Sequence, residues 1–344
     1  MTLSPASICQ ASFVGLGAAI MVLTLLPAAM QKHLLDYGAR DTERAASVDE
    51  VQGKDNGESK SKSEPLPESG VLERTVATVV PYLQVPHSWF ISFYVFYLIC
   101  SAYWAAQWWS WRQARSGGEM PDNLFGRIVA RQQTSDPVLA AMPATPMALL
   151  QVYVAFGLEA LQTGRRLYEY ICVFKPSKAN MNIAHFLLGL MYYAIMSVAV
   201  WVEGSQAIVS MKQHDAKLKP DIAFAADKEA LTKIVVGTIF FLLAWGGQFR
   251  CHVHLAGLKK YSLPEEGLFR YFVSPHYTCE LFLYGALSIV TAPEGRLVNR
   301  TLLSSLLFVI ASLGVTAGRT KQWYSDKFGA ERVAQRWRMI PFLF

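Results

Sequence analysis

A chain of 344 residues that is 52% hydrophobic and only 17% charged falls well short of the charged content, roughly one quarter, of a soluble domain. Its net charge of +6 could suit nucleic acid, but the basic residues form neither a stripe nor an aromatic-interleaved module, which excludes that class of partner. Five scattered cysteines with no CxxC pair exclude a disulfide or zinc framework and read as free thiols.

The charges lie in blocks. No Asp, Glu, Lys or Arg precedes Lys32, and none separates Arg74 from Arg112. Uncharged runs of this kind meet the length of about 20 helical residues needed to cross a bilayer core. In chain order seven spans are predicted: about Ala11–Met30, His87–Trp109, Pro137–Leu158, Met181–Val202, Leu231–Phe249, Tyr271–Ala292 and Thr301–Gly318. The first lacks the basic flank of a cleaved signal peptide and reads as a retained helix. Pro143 and Pro146 predict a kink or shift in the third, and the fifth is short and runs straight into polar residues. The expected fold is an all-α integral membrane protein of about seven transmembrane helices. It divides into a first helix in residues 1–31, a connection at 32–85 and a six-helix remainder at 86–344.

Within the connection, about Asp41 to Glu73 is rich in Ser, Glu and Lys (KDNGESKSKSEPLPES) and nearly lacks aromatic and β-branched residues. Such a segment buries too little to fold and is expected to be a disordered cytosolic loop. Placing the amino terminus outside the cytosol puts this connection, the segments around Arg166 and Lys259, and the carboxyl tail inside. Those regions hold most of the 32 Lys and Arg residues, as the positive-inside rule asks. The one N-x-T sequon, Asn299-Arg300-Thr301, falls on the other side, close to a membrane helix.

Ionisable and polar groups at membrane depth are expensive and point to function; most lie in the last third. In WGGQFRCHVHLAGLKK, Gln248, His252 and Lys259 stand at i, i+4 and i+11, so a helix continuing past the bilayer presents all three on one face. That face suits a phosphorylated nucleotide, or is simply a polar helix emerging into water. His252 and His254 are two apart, on different faces, which speaks against a metal pair, and no metal is expected. Next, His276 and Glu280 stand at i and i+4 with Tyr277 beside them. Glu280 has no basic neighbour in sequence, so it bonds a ligand or a neighbouring helix, or stays protonated through desolvation. In the tail, Lys321, Lys327, Arg332, Arg336 and Arg338 could surround phosphates or lie on anionic lipid. Earlier, Arg166 and Glu169 at i and i+3 can pair on a helix, with Arg165, Lys175 and Lys178 adding positive charge. No strand-linked GxGxxG, P-loop, HExxH or GxSxG occurs, so helices and loops at the membrane surface would have to hold a nucleotide.

These residues resemble the steroid 5α-reductase family, most closely its polyprenol/polyprenal reductase branch, over about Tyr153 to Phe344. The most specific pieces are WYSDKFG (Trp323–Gly329) and RMIPFLF (Arg338–Phe344). PHYTCE (Pro275–Glu280) resembles the family's Pro-Asn/His-Tyr-x-x-Glu segment, with His276 as in the polyprenal branch. KKYSLPEEGLF, APEG followed by NRT, and RRLYE (Arg165–Glu169) add to the likeness, with weaker echoes in HSWFISFY (His87–Tyr94) and YGAR (Tyr37–Arg40). The resemblance implies a membrane fold binding NADPH on its cytosolic side, mainly through about residues 245–344. Gln248, His252, Lys259, His276, Glu280, Tyr324 and Arg336 would line the cofactor site, with Lys321 of the basic tail near its phosphates. His276, Tyr277 and Arg166 would serve the chemistry.

One departure narrows the substrate. Steroid-reducing members carry an acid shortly after a Trp-Phe in the second span; here Trp89-Phe90 is followed by Ile91, Ser92 and Phe93. Hydride adds readily to an alkene only when a conjugated acceptor takes up the charge, which an unsaturated aldehyde offers and an allylic alcohol does not. The resemblance thus implies reduction of polyprenal, a long-chain isoprenoid lipid, in dolichol synthesis for N-glycosylation at the endoplasmic reticulum membrane, with His276 or Tyr277 donating to the developing enolate. Steroid reduction, trans-2-enoyl-CoA reduction, a membrane methyltransferase and a non-catalytic lipid carrier are the alternatives.

Overall fold

The computed structural model describes residues 3–27, 30–31, 78, 82–116, 123–135, 147–175, 179–208, 227–259 and 262–343. The Ser/Glu/Lys-rich segment, YGAR and Lys178 lie outside the described residues. The chain folds as helices: α1 Pro5–Leu23, α2 Ile91–Ser116, α3 Leu124–Ser135, α4 Leu149–Tyr168, α5 Ile183–Val202, α6 Lys228–Gly257, α7 Pro275–Val290 and α8 Arg300–Phe328. Two three-residue strands, β1 Gln84–Pro86 and β2 Asn180–Asn182, pair antiparallel and lead into α2 and α5.

Five stretches are long and apolar enough to cross a membrane: Pro5–Leu23, His87–Trp111, Ile183–Val202, Lys228–Gly257 and Arg300–Phe328. This is the framework of a multi-pass membrane protein. The expected third and sixth spans correspond to α4 and α7 and fall short of that standard. α4 carries Glu159, Arg165 and Arg166 among its 20 residues, and α7 has only 16. α4 starts at Leu149, and the expected stretch from Pro137 to Pro146 lies outside the described residues. α1 begins and ends earlier than expected. Ser4 caps it with Pro5 in the first turn, and it stops at Leu23 shortly before Pro27.

α6 and α7 form the tightest pair. A Cβ built on Gly237 would lie 2.5 Å from Val290 Cγ2 and 2.9 Å from the Ala286 carbonyl, so only glycine lets these backbones approach. α1 packs along α8, and α2 against α4 and α5. Fully buried Phe13, Tyr97, Phe125, Trp201, Phe241 and Leu302 are among the side chains filling the common core.

At one end of the bundle, polar side chains close the helix termini. Gln151 Nε2 donates to the Val290 and Ala292 carbonyls (2.7 and 3.0 Å), and Lys233 Nζ to the Pro293 carbonyl (2.7 Å), satisfying the end of α7. Asn299 Oδ1 accepts from Leu302 N at 3.0 Å as the cap of α8, while its Nδ2 donates to the Thr291 carbonyl at 3.2 Å. Thr301 is fully buried, with its N and Oγ1 both on Glu203 Oε1. The sequon is therefore part of the packed interior.

At the opposite end, Gly329 (φ +97°) closes α8 and the tail turns back. Trp337 pairs with Phe272: Val273 N donates to the Trp337 carbonyl at 2.8 Å, and Trp337 N to the Tyr271 carbonyl at 2.9 Å. The carboxyl tail is thereby fastened to the segment that opens α7.

Candidate functional site

One face of α4 is polar and buried along its length. Gln151, Glu159, Gln162, Arg165 and, in the π-helical turn Glu169–Val173 that follows, Glu169 all point into the bundle. π-turns inside helices recur at functional sites. Glu169 is fully buried and divides its two oxygens between adjacent arginines, Oε1 at 2.6 Å from Arg165 Nη1 and Oε2 at 2.5 Å from Arg166 Nη1. Removing one partner of such a buried group typically costs about 3–5 kcal/mol.

His252 of α6 joins this pair. Its Nδ1 lies 2.8 Å from Glu169 Oε2 and 2.7 Å from Arg166 Nη1, so the ring is clamped whichever tautomer it adopts. Arg166 Nη2 donates to Tyr94 Oη of α2 at 3.0 Å. Gln248, one turn before His252, works as a directional relay. Its Oε1 accepts from Arg165 Nη2 and, at 3.0 Å, from Gln162 Nε2; its Nε2 donates to Glu280 Oε2 and, at 3.2 Å, to the His276 carbonyl. A flipped amide would set NH2 against two donors, so the network fixes its orientation. Glu280 thus bonds neighbouring helices through Gln248, with Gln162 Nε2 at 3.5 Å.

The His276 ring stands 5.5 Å from His252 and 4.2 Å from Tyr277, centroid to centroid. Its Nδ1 and the Nε of Arg165 are buried polar atoms with no protein hydrogen-bond partner. Atoms of this kind are what a bound ligand would satisfy. Gln248, His252, His276, Glu280 and Arg166, with Tyr277 alongside, therefore meet in one cluster.

The remaining expected site residues lie elsewhere. Lys259 does not share the face of Gln248 and His252: α6 stops at Gly257, Leu258 turns extended, and the Lys259 side chain is exposed. Tyr324 packs in a small separate core with Leu263, Val273 and Val333. Lys321 and Arg336 border a cleft of about 530 Å³ with Trp337, Arg338 and Phe342. There Lys321 Nζ holds the Arg336 carbonyl at 2.6 Å, and Arg336 Nη1 holds the Pro264 carbonyl at 2.7 Å. Both cations tie the tail down, and Arg336 has further donors to offer.

Tyr94, Gln162 and Glu159 are the buried polar members that sequence reasoning missed. Gln162 could have been found from its place one turn before Arg165 and Arg166 on a polar helix face. Tyr94 sits in a long aromatic run and carries no comparable signal.

The 3-oxo-5-alpha-steroid 4-dehydrogenase family profile matches residues 221–344, which contain α6, α7, α8 and the tail. A Saccharomyces cerevisiae protein named polyprenal reductase is 31% identical over 193 residues, covering 56% of this chain and 63% of that protein. Proteins of the same name from Drosophila melanogaster and Homo sapiens are 27% identical over 287 residues and 24% over 276, covering 77% and 76% of this chain and 78% of each relative. The chain thus spans under two thirds of the yeast protein's length.

Proposed function

Since the chain belongs to the steroid 5α-reductase family, we propose that it is an oxidoreductase acting on a CH–CH group, using NADPH to reduce the α-isoprene double bond of polyprenal to dolichal. The observation that carries this reading is the buried cluster on α4, α6 and α7, whose His276 Nδ1 and Arg165 Nε await a partner. Gln248, His252, His276 and Glu280 would hold the nicotinamide end, and Arg336, Lys321, Tyr324 and Lys259 the phosphate end. Tail cations that now hold backbone carbonyls could exchange those bonds for charge-assisted ones. Bound NADPH supplies the hydride.

The protein's own part is to position, to exclude water and to deliver a proton. Arg166, held by Glu169, Tyr94 and His252, is rigid and would fix the geometry at the reacting end. His276, packed on Tyr277, would give its proton to the α-carbon of the developing enolate. An aldehyde substrate follows from the chemistry, since its carbonyl accepts the charge. Dolichol synthesis for N-glycosylation at the endoplasmic reticulum membrane is the setting that substrate implies.

Purified protein incubated with NADPH and, separately, polyprenal, polyprenol, a 3-oxo-4-ene steroid or an enoyl-CoA tests the reading. Saturated product from polyprenal, and none from polyprenol, is expected. Reduction of the steroid or the thioester alone would replace this substrate class.

A further inference from the structure

The tightest helix pair in the bundle carries two thiols that meet across its interface. Cys251 of α6 directly precedes His252, and Cys279 of α7 directly precedes Glu280. Both are free and buried, 5% and 7% exposed. Their side chains hydrogen-bond each other. A second contact fixes the same sulfur: a Cβ built on Gly247 would stand 3.2 Å from Cys279 Sγ, and Gly247 lies one turn before Cys251. Gly247 and Cys251 therefore form one face of α6, and the Cys279 sulfur rests on it. Neither thiol has a task in the reduction proposed above.

A disulfide needs Cβ atoms about 3.5–4.5 Å apart, a spacing that thiols already bonded to each other approach. On the reducing side of a membrane such a bond is transient and regulatory rather than structural. Burial shields the pair from bulky reagents. The adjoining cluster, however, is where dinucleotide and lipid would have to enter, so a small neutral oxidant has the same way in. The pair also sits among contacts that hold the cluster together. Gln248 Nε2 donates across this interface to Glu280 Oε2 and, at 3.2 Å, to the His276 carbonyl. Closing a disulfide draws the sulfurs to about 2.05 Å, well inside a thiol hydrogen bond, so α6 and α7 must shift beside those contacts. A misplacement of about 1 Å at reacting groups costs on the order of 10²-fold in rate.

We propose that Cys251 and Cys279 form a modification site for hydrogen peroxide, which joins them in a disulfide and arrests the enzyme reversibly; the arrest, though not the bond, rests on the reductase reading above. One sulfur, as the thiolate, attacks a peroxide oxygen, the O–O bond breaks, and a water leaves behind a sulfenic acid. The second thiol attacks that sulfur, forms the S–S bond and releases another water. Two thiols are thus oxidised by two electrons, one peroxide becomes two waters, and both thiol protons end in water. An added dithiol reverses the step by exchange through a mixed disulfide.

The test treats the reduced, full-length protein in detergent with hydrogen peroxide, unfolds it, blocks free thiols with N-ethylmaleimide and digests it for mass spectrometry. A peptide pair joined through Cys251 and Cys279, two hydrogens lighter than its reduced parts, is expected from the monomer. Turnover of polyprenal with NADPH should fall on the order of 10²-fold and return with dithiothreitol, which does not reverse methionine oxidation. Cys279→Ala and Cys251→Ser should each keep the untreated rate and stay active through peroxide. Should Cys279→Ala fail to fold, Cys251→Ser and the wild-type peptides decide. Maleimide on both cysteines after peroxide overturns the site. A joined pair with unchanged turnover, or equal inactivation of the folded variants, overturns the arrest. A wild type that reduces no polyprenal before treatment overturns the reductase reading, and the joined peptide alone then decides the site.

Discussion

Arg165 and Arg166 are neighbours in sequence and serve different partners. Arg165 turns toward Gln162, Gln248 and the face of Trp245, whereas Arg166 reaches Tyr94 and His252. Glu169 bonds both, one carboxylate against two cations, and that pairing lowers the cost of holding guanidinium groups inside a helix bundle. The spacing of Arg166 and Glu169 makes their pairing legible in sequence, but the partners on α2 and α6 become visible only once the helices pack. The same distinction separates Arg336 from His276. Arg336→Ala should mainly weaken NADPH binding, since a charge-assisted hydrogen bond worth about 1.5–3 kcal/mol is lost in ground and transition states alike. The expected loss is about 10- to 150-fold in affinity. His276→Ala should instead lower turnover at saturating NADPH more than it lowers affinity. Dinucleotide titration and saturated rates on both variants check this. Normal NADPH affinity in Arg336→Ala would leave that side chain with only its structural contacts to Pro264 and Glu265.

At the scale of elements, the sequence reveals what a helix contains more readily than where it stops. Gln248 and His252 share a face because α6 is helical through both, while Lys259 drops out because the helix ends at Gly257. The expected third span overlaps α4 over Leu149–Leu158, and its residues 137–146 lie outside the described residues. α4, which overlaps an expected span, falls short of a membrane-crossing composition because it carries Glu159, Arg165 and Arg166, buried or half-buried against other helices. α8 shows the opposite economy: Asn299 and Thr301, which read as a modification motif, close the helix start. Asn299→Ala should therefore destabilise the fold by about 1–2 kcal/mol through the lost cap. Thermal unfolding in detergent measures this, and the wild-type protein should migrate identically before and after glycosidase treatment. A glycan on Asn299 would show that the cap opens during synthesis.

For the whole molecule, the functional groups are gathered at one end. The tail pairs with the segment opening α7, and His276 in the first turn of α7 lies beside His252 near the end of α6. His252 in turn contacts Glu169 at the end of α4. Tail, cluster and the π-turn therefore share one end of the bundle, and the surplus of Lys and Arg in the sequence leads us to predict that this end faces the cytosol. Cys172, three residues past Glu169, is exposed, whereas Cys9, Cys251 and Cys279 are buried and Cys100 is intermediate. It is a native reporter of sidedness. In sealed microsomes with the cytosolic face outward, a membrane-impermeant maleimide should label Cys172, and added protease should remove a carboxyl-terminal tag. Cys172→Ser should abolish most of the labelling, which ties the signal to this position. If the tag is cleaved while Cys172 stays unlabelled, Cys172 faces lipid and the tag alone reports topology. If both reporters are protected until detergent is added, the cluster faces the lumen, and a cytosolic supply of NADPH could not reach it.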